Sequence, residues 1–220
     1  MNGRTIKESV QAYGIGRILK TIRTEPESSL PRLMEWADRI MPEHSLEAPR
    51  KMIRSILDDP DSPWHTFIMS LWSDIDDGCR ETFFSNFIIN SAAVGFPRQE
   101  RFKEENGCNV PWAILMDPTS ACNLKCKGCW AAEYGDQLNM SCGELDSIIT
   151  QGKEMGTFMY IYSGGEPLVR KKDIISLCEK HSECMLLAFT NGILIDEAFA
   201  GELLRAKTFV PAISIEGDRA

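Results

Sequence analysis

The sequence predicts two regions of different fold class, an all-α region over residues 1–107 and an α/β region over residues 108–220. In the first region apolar residues recur at the three- and four-residue intervals of an amphipathic helix. In the second region short apolar runs alternate with amphipathic segments, which is the pattern of strands separated by helices. A chain of 220 residues is long enough for one large domain or two small ones.

The all-α region is predicted to contain roughly four or five helices. Apolar side chains between Leu30 and Leu57 keep the helical spacing. Ser62 and Pro63 predict the start of a further helix, because a serine can accept a free backbone N–H at a helix start and a proline fits the first turn.

The α/β region is predicted to fold in the order β-α-β-α-β-α-β. Ser141 and Glu144 have the spacing of a capping box, and Asp196 can cap the third helix. Alternation of this kind predicts parallel strands, with functional groups on the loops that follow their carboxyl ends. The predicted strands cover residues 111–116, 157–162, 184–189 and 208–215, and the predicted helices cover residues 141–154, 171–181 and 196–205.

The composition argues against several classes of partner. With 24 basic and 32 acidic side chains, a net charge of -8 and a pI near 5.0, the chain has no general attraction for nucleic acid or anionic lipid. No apolar run approaches the roughly 20 residues of a membrane-spanning helix, and the amino terminus lacks the apolar core of a signal peptide. We therefore expect a cytoplasmic protein with no nucleic-acid or membrane partner.

Three cysteines lie on one short loop directly after the first predicted strand. Cys122, Cys126 and Cys129 have a C-x3-C-x2-C spacing, and thiolates on one loop can bind a single inorganic centre. Sulfur ligands favour zinc or an iron–sulfur cluster over magnesium or calcium. The remaining cysteines are dispersed and predict ordinary buried or free thiols; they are Cys79, Cys108, Cys142, Cys178 and Cys184.

The number of sulfur ligands makes some metal centres less favourable than others but does not select one. Structural zinc takes four protein ligands in paired motifs, and no second paired motif follows here. A ferredoxin-type cluster also takes four cysteines, and only Cys142 lies near enough in sequence, although a capped helix is predicted there. Three cysteines on a four-iron cluster would leave one iron open to an exogenous ligand.

The cysteine loop and three later segments together resemble the radical S-adenosylmethionine (SAM) superfamily. The three cysteines match the cluster motif of that family, and Ser-Gly-Gly-Glu-Pro at residues 163–167 resembles its GGE motif. Thr-Asn-Gly at residues 190–192 and Ser-Ile-Glu-Gly at residues 214–217 resemble the polar positions that hold the ribose and carboxylate of SAM. An ordered set of this kind is far more specific than any one glycine motif.

The resemblance implies a fold, cofactors and binding residues. The implied fold is a partial (β/α) barrel of the radical SAM type, with about four βα units, preceded by the all-α region. The implied cofactors are a [4Fe-4S] cluster on Cys122, Cys126 and Cys129, and SAM. The implied SAM-binding residues are Ser163, Gly164, Gly165, Glu166, Thr190, Asn191, Ser214 and Glu216.

The chain departs from the family pattern in places. The residue before the third cysteine, commonly aromatic in the family, is Gly128, and Trp130 follows that cysteine instead. Glu216 stands where many relatives have aspartate. Family barrels generally have six βα units and only four strands fit here, so we expect an incomplete barrel that is poorly soluble or inactive when expressed alone.

The activity implied by the resemblance is reductive cleavage of SAM to methionine and a 5′-deoxyadenosyl radical, which abstracts hydrogen from an unknown substrate. Such an enzyme needs an external one-electron reductant of the flavodoxin or ferredoxin type, and no catalytic acid or base is predicted. Two other functions stay open at this stage: a non-enzymatic iron–sulfur electron-transfer or metal-binding module, and an interaction protein that acts through its helical region.

Overall fold

The computed structural model describes residues 26–40 and 47–215. The chain divides into two compact units, Met1–Ser85 and Asn86–Ala220. Where it is described, the first unit is helical, as predicted. Its helices are α1 (Pro26–Ile40), α2 (Glu47–Leu57), α3 (Pro63–Asp74) and α4 (Asp77–Phe84).

The start of α3 follows the prediction made from Ser62 and Pro63. The Ser62 hydroxyl accepts a hydrogen bond from the backbone N–H of Trp64, and Pro63 occupies the first turn. This cap satisfies one of the backbone donors that a helix start leaves without an intrahelical partner. Across the described parts of the chain, no helix is both long enough and apolar enough to cross a membrane.

The second unit contains four parallel strands whose order in the sheet is their order in the chain. Consecutive order is the arrangement of a (β/α) barrel, whereas a doubly wound sheet reverses direction at a switch point. The predicted α/β architecture is therefore confirmed. The elements are a π-helix (Ser85–Gly95), α5 (Phe96–Asn106), β1 (Ala113–Met116), α6 (Cys142–Met155), β2 (Met159–Tyr162), α7 (Lys171–Lys180), β3 (Met185–Thr190), α8 (Glu197–Ala206) and β4 (Phe209–Ile213), with short 3-10 helices at Trp130–Tyr134 and Pro167–Arg170.

The two faces of the sheet have different surroundings. Side chains of one face, including Tyr160, Tyr162 and Leu186, are fully buried in a core with residues of the helices. On the opposite face, Leu115 is 58% exposed and Phe189 is 49% exposed. This alternation follows from the period of two in a strand, and the second face is the one that lines the interior of a closed (β/α) barrel.

Side-chain amides join the π-helix to the turn that precedes β3. Nδ2 of Asn86 donates to the carbonyl oxygens of Ser182 (2.9 Å) and Cys184 (3.0 Å). Nδ2 of Asn90, one helical turn later, donates to the carbonyl oxygen of Glu183 (2.8 Å). Three consecutive carbonyl groups are thus satisfied by two asparagines, as buried backbone acceptors require.

The hydrogen bonds of Asn86 and Asn90 connect the π-helix to the unit that contains the sheet. The predicted domains, residues 1–107 and 108–220, divide where helix gives way to strand, whereas the compact units divide between Ser85 and Asn86. The side chain of Gln99 in α5 likewise donates to the carbonyl oxygen of Gly156, in the turn before β2 (2.8 Å). Helical periodicity identifies a helix but does not tell which unit the helix packs against.

A buried histidine lies at the end of α7. Nε2 of His181 is 2.8 Å from Oδ1 of Asp146, whose other oxygen binds Nζ of Lys180. Nδ1 of His181 is buried without a hydrogen-bond partner among the described residues. Burial lowers the pKa of His181, although the Asp146 carboxylate opposes that shift; Lys153 and Glu183 are the other charged groups nearby.

We predict that the chain loses stability as pH falls below about 6.5, the ordinary pKa of imidazole. Because the pKa of His181 is lower in the folded state, the unfolded chain takes up the proton first, and folding weakens by up to about 1.4 kcal/mol per pH unit below that value. The carboxylates of Asp146 and Glu183 have lowered pKa values, so their contribution is lost only nearer pH 4, well below this window.

Thermal unfolding between about pH 7.5 and about pH 5.5 measures this slope. His181→Gln, which keeps a donor for Asp146 but cannot titrate, is expected to flatten it. His65→Gln in α3 makes the same substitution at another histidine and is the matched control. An equal slope in the wild type and in His181→Gln would show that another group titrates.

Candidate cofactor site

The cysteine loop leaves the carboxyl end of β1 and is closed at its base. The N–H of Ser120 donates to the carbonyl oxygen of Leu138 (2.8 Å), and the hydroxyl of Thr119 donates to Oδ1 of Asn139 (2.6 Å). Thr119 and Asn139 also form an antiparallel bridge. We call these four residues the neck. The neck holds the two ends of the loop together. The three cysteines therefore lie on a single loop whose ends are hydrogen-bonded to each other.

An arginine from the segment after β2 binds both sides of the neck. Nη1 of Arg170 donates to the carbonyl oxygens of Pro118 (3.1 Å) and Met140 (2.8 Å). Its Nε donates to Oδ2 of Asp173 (2.6 Å), which supplies the counter-charge. Charge-assisted hydrogen bonds of this kind are stronger than neutral ones, so the neck is fixed by groups that lie outside the cysteine loop.

The Gly-Gly turn after β2 lies directly against the cysteine loop. The N–H of Gly165 donates to the carbonyl oxygen of Thr119 (2.9 Å), and the N–H of Glu166 donates to that of Ala121 (2.8 Å). A Cβ atom on Gly165 would lie 2.3 Å from the carbonyl oxygen of Ala121, and Gly164 has a φ of +94°. Both glycines are therefore needed for the approach of one backbone to another.

The carboxylate of Glu166 joins the loops after β2 and β3. Glu166 is 1% exposed. Its Oε1 accepts from the N–H of Leu168 (3.0 Å) and the hydroxyl of Thr190 (2.7 Å), and its Oε2 accepts from the N–H of Asn191 (2.9 Å). A buried carboxylate is stable only when donors of this kind replace its water. Glu166 and Thr190 are thus brought together, and they bind each other.

The loop after β3 also reaches the cysteine loop. Nδ2 of Asn191 donates to Oδ1 of Asn123 (2.8 Å), the residue that follows the first cysteine. After β4, the N–H of Ser214 donates to the carbonyl oxygen of Thr190 (2.9 Å), and the Ser214 side chain is exposed. Glu216, predicted at the same site, lies outside the described residues.

The three cysteines lie on the loop without regular secondary structure. Cys122 and Cys126 are exposed, Cys129 is half-buried, and all three are free thiols. Sγ of Cys122 accepts from the N–H of Leu124 (3.4 Å). Within residues 26–40 and 47–215, no three His, Cys, Asp or Glu side chains are grouped so that they could hold a metal ion. The fold gathers the cysteines on one loop, but it does not bring their sulfur atoms together.

Cys142, which follows the cysteine loop in sequence, has a different environment. It lies in the first turn of α6 behind the capping box of Ser141 and Glu144, as predicted. Burial, together with the nearby carboxylate of Asp173, raises the pKa of its thiol. Burial also raises the pKa of Cys178 to about 11. A raised pKa disfavours the thiolate that a metal ligand requires.

The sequence reasoning missed two residues that hold this arrangement together. Arg170 carries no motif signal, because its partners are backbone carbonyl groups that only the fold brings near it. Asn123 stands inside the cysteine motif but was not distinguished from its neighbours, since its partner Asn191 is 68 residues away in sequence.

Comparison with known proteins identifies a family for the segment that contains the site. The family model described as the radical SAM superfamily matches residues 116–219. This segment belongs to the radical SAM superfamily. The predicted resemblance is therefore confirmed, and members of the family use a [4Fe-4S] cluster and SAM.

Curated relatives of the radical SAM segment include Fe-coproporphyrin III synthase of Methanosarcina barkeri, 31% identical over 112 residues, which are 48% of this chain and 27% of that protein. Mycofactocin maturase MftC of Mycobacterium ulcerans is 28% identical over 119 residues, 53% of this chain and 32% of the relative. The chain thus spans about a third or less of the length of these relatives. A crystal structure of Streptococcus suis SuiB bound to precursor peptide SuiA matches with a TM-score of 0.44 and 24% identity, over 53% of this chain and 27% of that chain.

We predict that Glu166→Gln destabilises the radical SAM segment by about 1–3 kcal/mol, because the new amide NH2 must face a donor and leaves it unsatisfied. Hydrogen exchange at the amide of Asn191 should accelerate, and the thermal midpoint should fall. Glu179→Gln, at an exposed position of α7, is the matched control. If the Asn191 amide kept the same protection from hydrogen exchange in Glu166→Gln, the carboxylate would not be what joins the loops after β2 and β3.

Gly165→Ala is expected to separate the Gly-Gly turn from the cysteine loop at a cost of about 1–3 kcal/mol, since its Cβ meets backbone that cannot rotate away. The amide of Glu166, which donates across this contact, should lose protection from hydrogen exchange. Gly143→Ala is the control, because the nearest atom to a Cβ there is 4.0 Å away and the site is helical. Equal effects of the two substitutions would contradict the close approach.

Proposed function

We propose that this chain is the cofactor-binding part of a radical SAM enzyme, in which Cys122, Cys126 and Cys129 bind a [4Fe-4S] cluster next to SAM. The observation that carries the proposal is the convergence of three loops. Hydrogen bonds from the Gly-Gly turn and from Asn191 fasten the loops after β2 and β3 to the cysteine loop. All three loops follow carboxyl ends of parallel strands, where (β/α) barrels have their active sites.

The donor set fits the cluster. Three free thiols provide soft sulfur ligands, and a trio leaves one iron of a four-iron cluster for an exogenous ligand. Because the neck and Arg170 hold the base of the loop, the sulfur atoms can converge through a change confined to the residues between Ser120 and Leu138. Gly128, with a φ of +79°, gives that segment a turn that other residues rarely adopt.

The predicted SAM-binding residues divide into two groups in this proposal. Glu166 and Thr190 use their polar atoms on each other and on neighbouring backbone, so we assign them to positioning the loops. The side chain of Asn191 is used in the same way, since it donates to Asn123 and accepts from the N–H of Ile193, so we assign it to positioning as well. The backbone carbonyl groups of Ser163, Gly164 and Gly165, together with the side chain of Ser214, are left to contact SAM. Glu216 remains a predicted contact.

When bound, the cluster and SAM supply a one-electron cleavage that yields a 5′-deoxyadenosyl radical for hydrogen abstraction. The residues of this chain hold the loops in register and shape the pocket, and no side chain of the site has to move a proton. The relatives named above include a synthase and a maturase. The similarity therefore does not select one substrate class, and the proposal extends only to SAM cleavage.

The proposed reaction needs an external one-electron donor of the flavodoxin or ferredoxin type. The exposure of Cys122 and Cys126 supports access of such a donor to the loop. We also propose a cytoplasmic location, because no disulfide bond joins any cysteines of the described residues, which is typical of a reducing compartment.

Anaerobic reconstitution tests the proposal. The wild-type chain is expected to take up about four irons, whereas Cys122→Ser, Cys126→Ser and Cys129→Ser should each lose most of that iron, since serine is a poor ligand for an iron–sulfur cluster. Cys108→Ser is the matched control, because Cys108 is also an exposed free thiol but lies outside the loop. Iron content and the absorption of the cluster are the measurements.

The outcomes separate the candidate functions. Equal iron in Cys108→Ser and in the loop variants would contradict the assigned ligands. A cluster whose electron paramagnetic resonance spectrum does not respond to SAM would instead support a non-enzymatic electron-transfer module. With dithionite as reductant, 5′-deoxyadenosine formed from SAM would support the enzyme.

A further inference from the structure

The first cysteine of the loop is held from both sides by other loops. The residue before it, Ala121, accepts through its carbonyl oxygen from the N–H of Glu166 (2.8 Å). The residue after it, Asn123, accepts at Oδ1 from Nδ2 of Asn191 (2.8 Å). Because these donors belong to the loops after β2 and β3, Cys122 lies between two residues whose positions are set outside the cysteine loop.

The other two cysteines lack support of this kind. Among the residues that the structure describes, no hydrogen bond from another loop reaches Cys126, Cys129 or the residues directly beside them. The N–H of Cys129 donates to the carbonyl oxygen of Cys126 (3.3 Å), which is a contact within the cysteine loop. The three cysteines are therefore unequal, since the neighbours of one are bound to the rest of the unit and those of the other two are not.

The side chain of Asn191 is oriented independently of Asn123. Its Oδ1 accepts from the N–H of Ile193 (3.0 Å), and its backbone N–H donates to Oε2 of the buried Glu166 (2.9 Å). An asparagine amide has one acceptor and one donor group, so the bound oxygen leaves Nδ2 as the group that faces Asn123. The direction of the bond between the two asparagines thus follows from the loop after β3.

The sulfur atom of Cys122 contacts the same short segment. Its Sγ lies 3.9 Å from Oδ1 of Asn123 and accepts from the N–H of Leu124 (3.4 Å). When metal binding removes the thiol proton, the N–H of Leu124 is still a donor to the sulfur, and hydrogen bonds to ligand sulfurs help to set the potential of a cluster. Because Asn123 stands between Cys122 and Leu124 in the chain, its position also determines where this donor lies.

We propose that Asn123 is a positioning residue for the first cluster ligand, and that the fold sets the place of Cys122 before Cys126 and Cys129 join it. The hydrogen bond from Asn191 holds Asn123, and with it Cys122, against the loop after β3. Asn123 itself provides no ligand to iron. This inference rests on the proposed function, because it takes Cys122 as a cluster ligand.

The metal-free chain provides the first measurement. Hydrogen exchange at the amide of Leu124 is expected to accelerate roughly threefold to tenfold in Asn123→Ala, which loses the bond to Asn191. Asn123→Asp should restore the protection, since its carboxylate still accepts from Nδ2. Asn109→Ala is the matched control, because Asn109 is also exposed but lies outside the loop. Equal thermal midpoints are expected in all variants, since Asn123 is exposed.

The reconstituted chain provides the second measurement. Asn123→Ala is expected to lose iron to a chelator several-fold faster than the wild type. Asn123→Asp should hold its iron, but its negative charge beside the cluster should shift the midpoint potential to more negative values. The double variant Asn123→Ala/Asn191→Ala should lose iron no faster than the faster single variant, because both substitutions remove the same bond.

Equal rates of iron loss in the wild type and Asn123→Ala would overturn the proposal and leave the cysteine ligands in place. An equal acceleration in Asn109→Ala would also overturn it, as would a failure of Asn123→Asp to restore the protection of Leu124. A wild-type chain that takes up no iron would contradict the proposed function itself, and this inference would fall with it. Iron uptake by the wild type therefore distinguishes the two failures.

Discussion

The buried carboxylate of Glu166 is the constraint on which the arrangement of the loops depends. A carboxylate that is 1% exposed is unfavourable unless donors surround it, and these donors come from the loop after β3 as well as from its own loop. The donors need the carboxylate as much as it needs them. If Glu166 moved away, the hydroxyl of Thr190 and the N–H of Asn191 would lose their acceptor. Two loops that are 24 residues apart in sequence therefore have one relative position.

Most of the fold could be predicted from the sequence, because strands and helices of this unit have the hydrophobic periods that their burial requires. The caps at Ser62, Ser141 and Asp196 are local interactions, so short sequence patterns identified them. The contacts of Asn86 and Gln99 were not predictable, because their acceptors are backbone carbonyl groups far away in sequence. Those contacts place residues 86–106 in the same compact unit as the sheet.

The sequence predicted which segments come together at the candidate site. It did not predict which residues of those segments would bind one another. Spacing predicted the cysteines as metal ligands, which stays a prediction, and it predicted the Gly-Gly turn, where the structure shows the close backbone approach. Spacing could not show that Glu166 binds Thr190, or that the Gly-Gly turn first meets the backbone of the cysteine loop. A motif records which residues a site needs, whereas the hydrogen bonds determine which of them remain free for a ligand.

The anchoring of the loop also bears on how the proposed cluster would be bound. Ligand thiols must lose their protons, and three thiolates at close range repel one another until metal neutralises them. Contacts at the ends of the loop constrain its position without requiring the thiolates to approach one another. The neck, Arg170 and the bond between Asn123 and Asn191 do this with groups that carry no cluster ligand. In the proposed function, any rearrangement on iron binding would then be confined to the residues between the two sides of the neck, which limits the conformational entropy lost at that step.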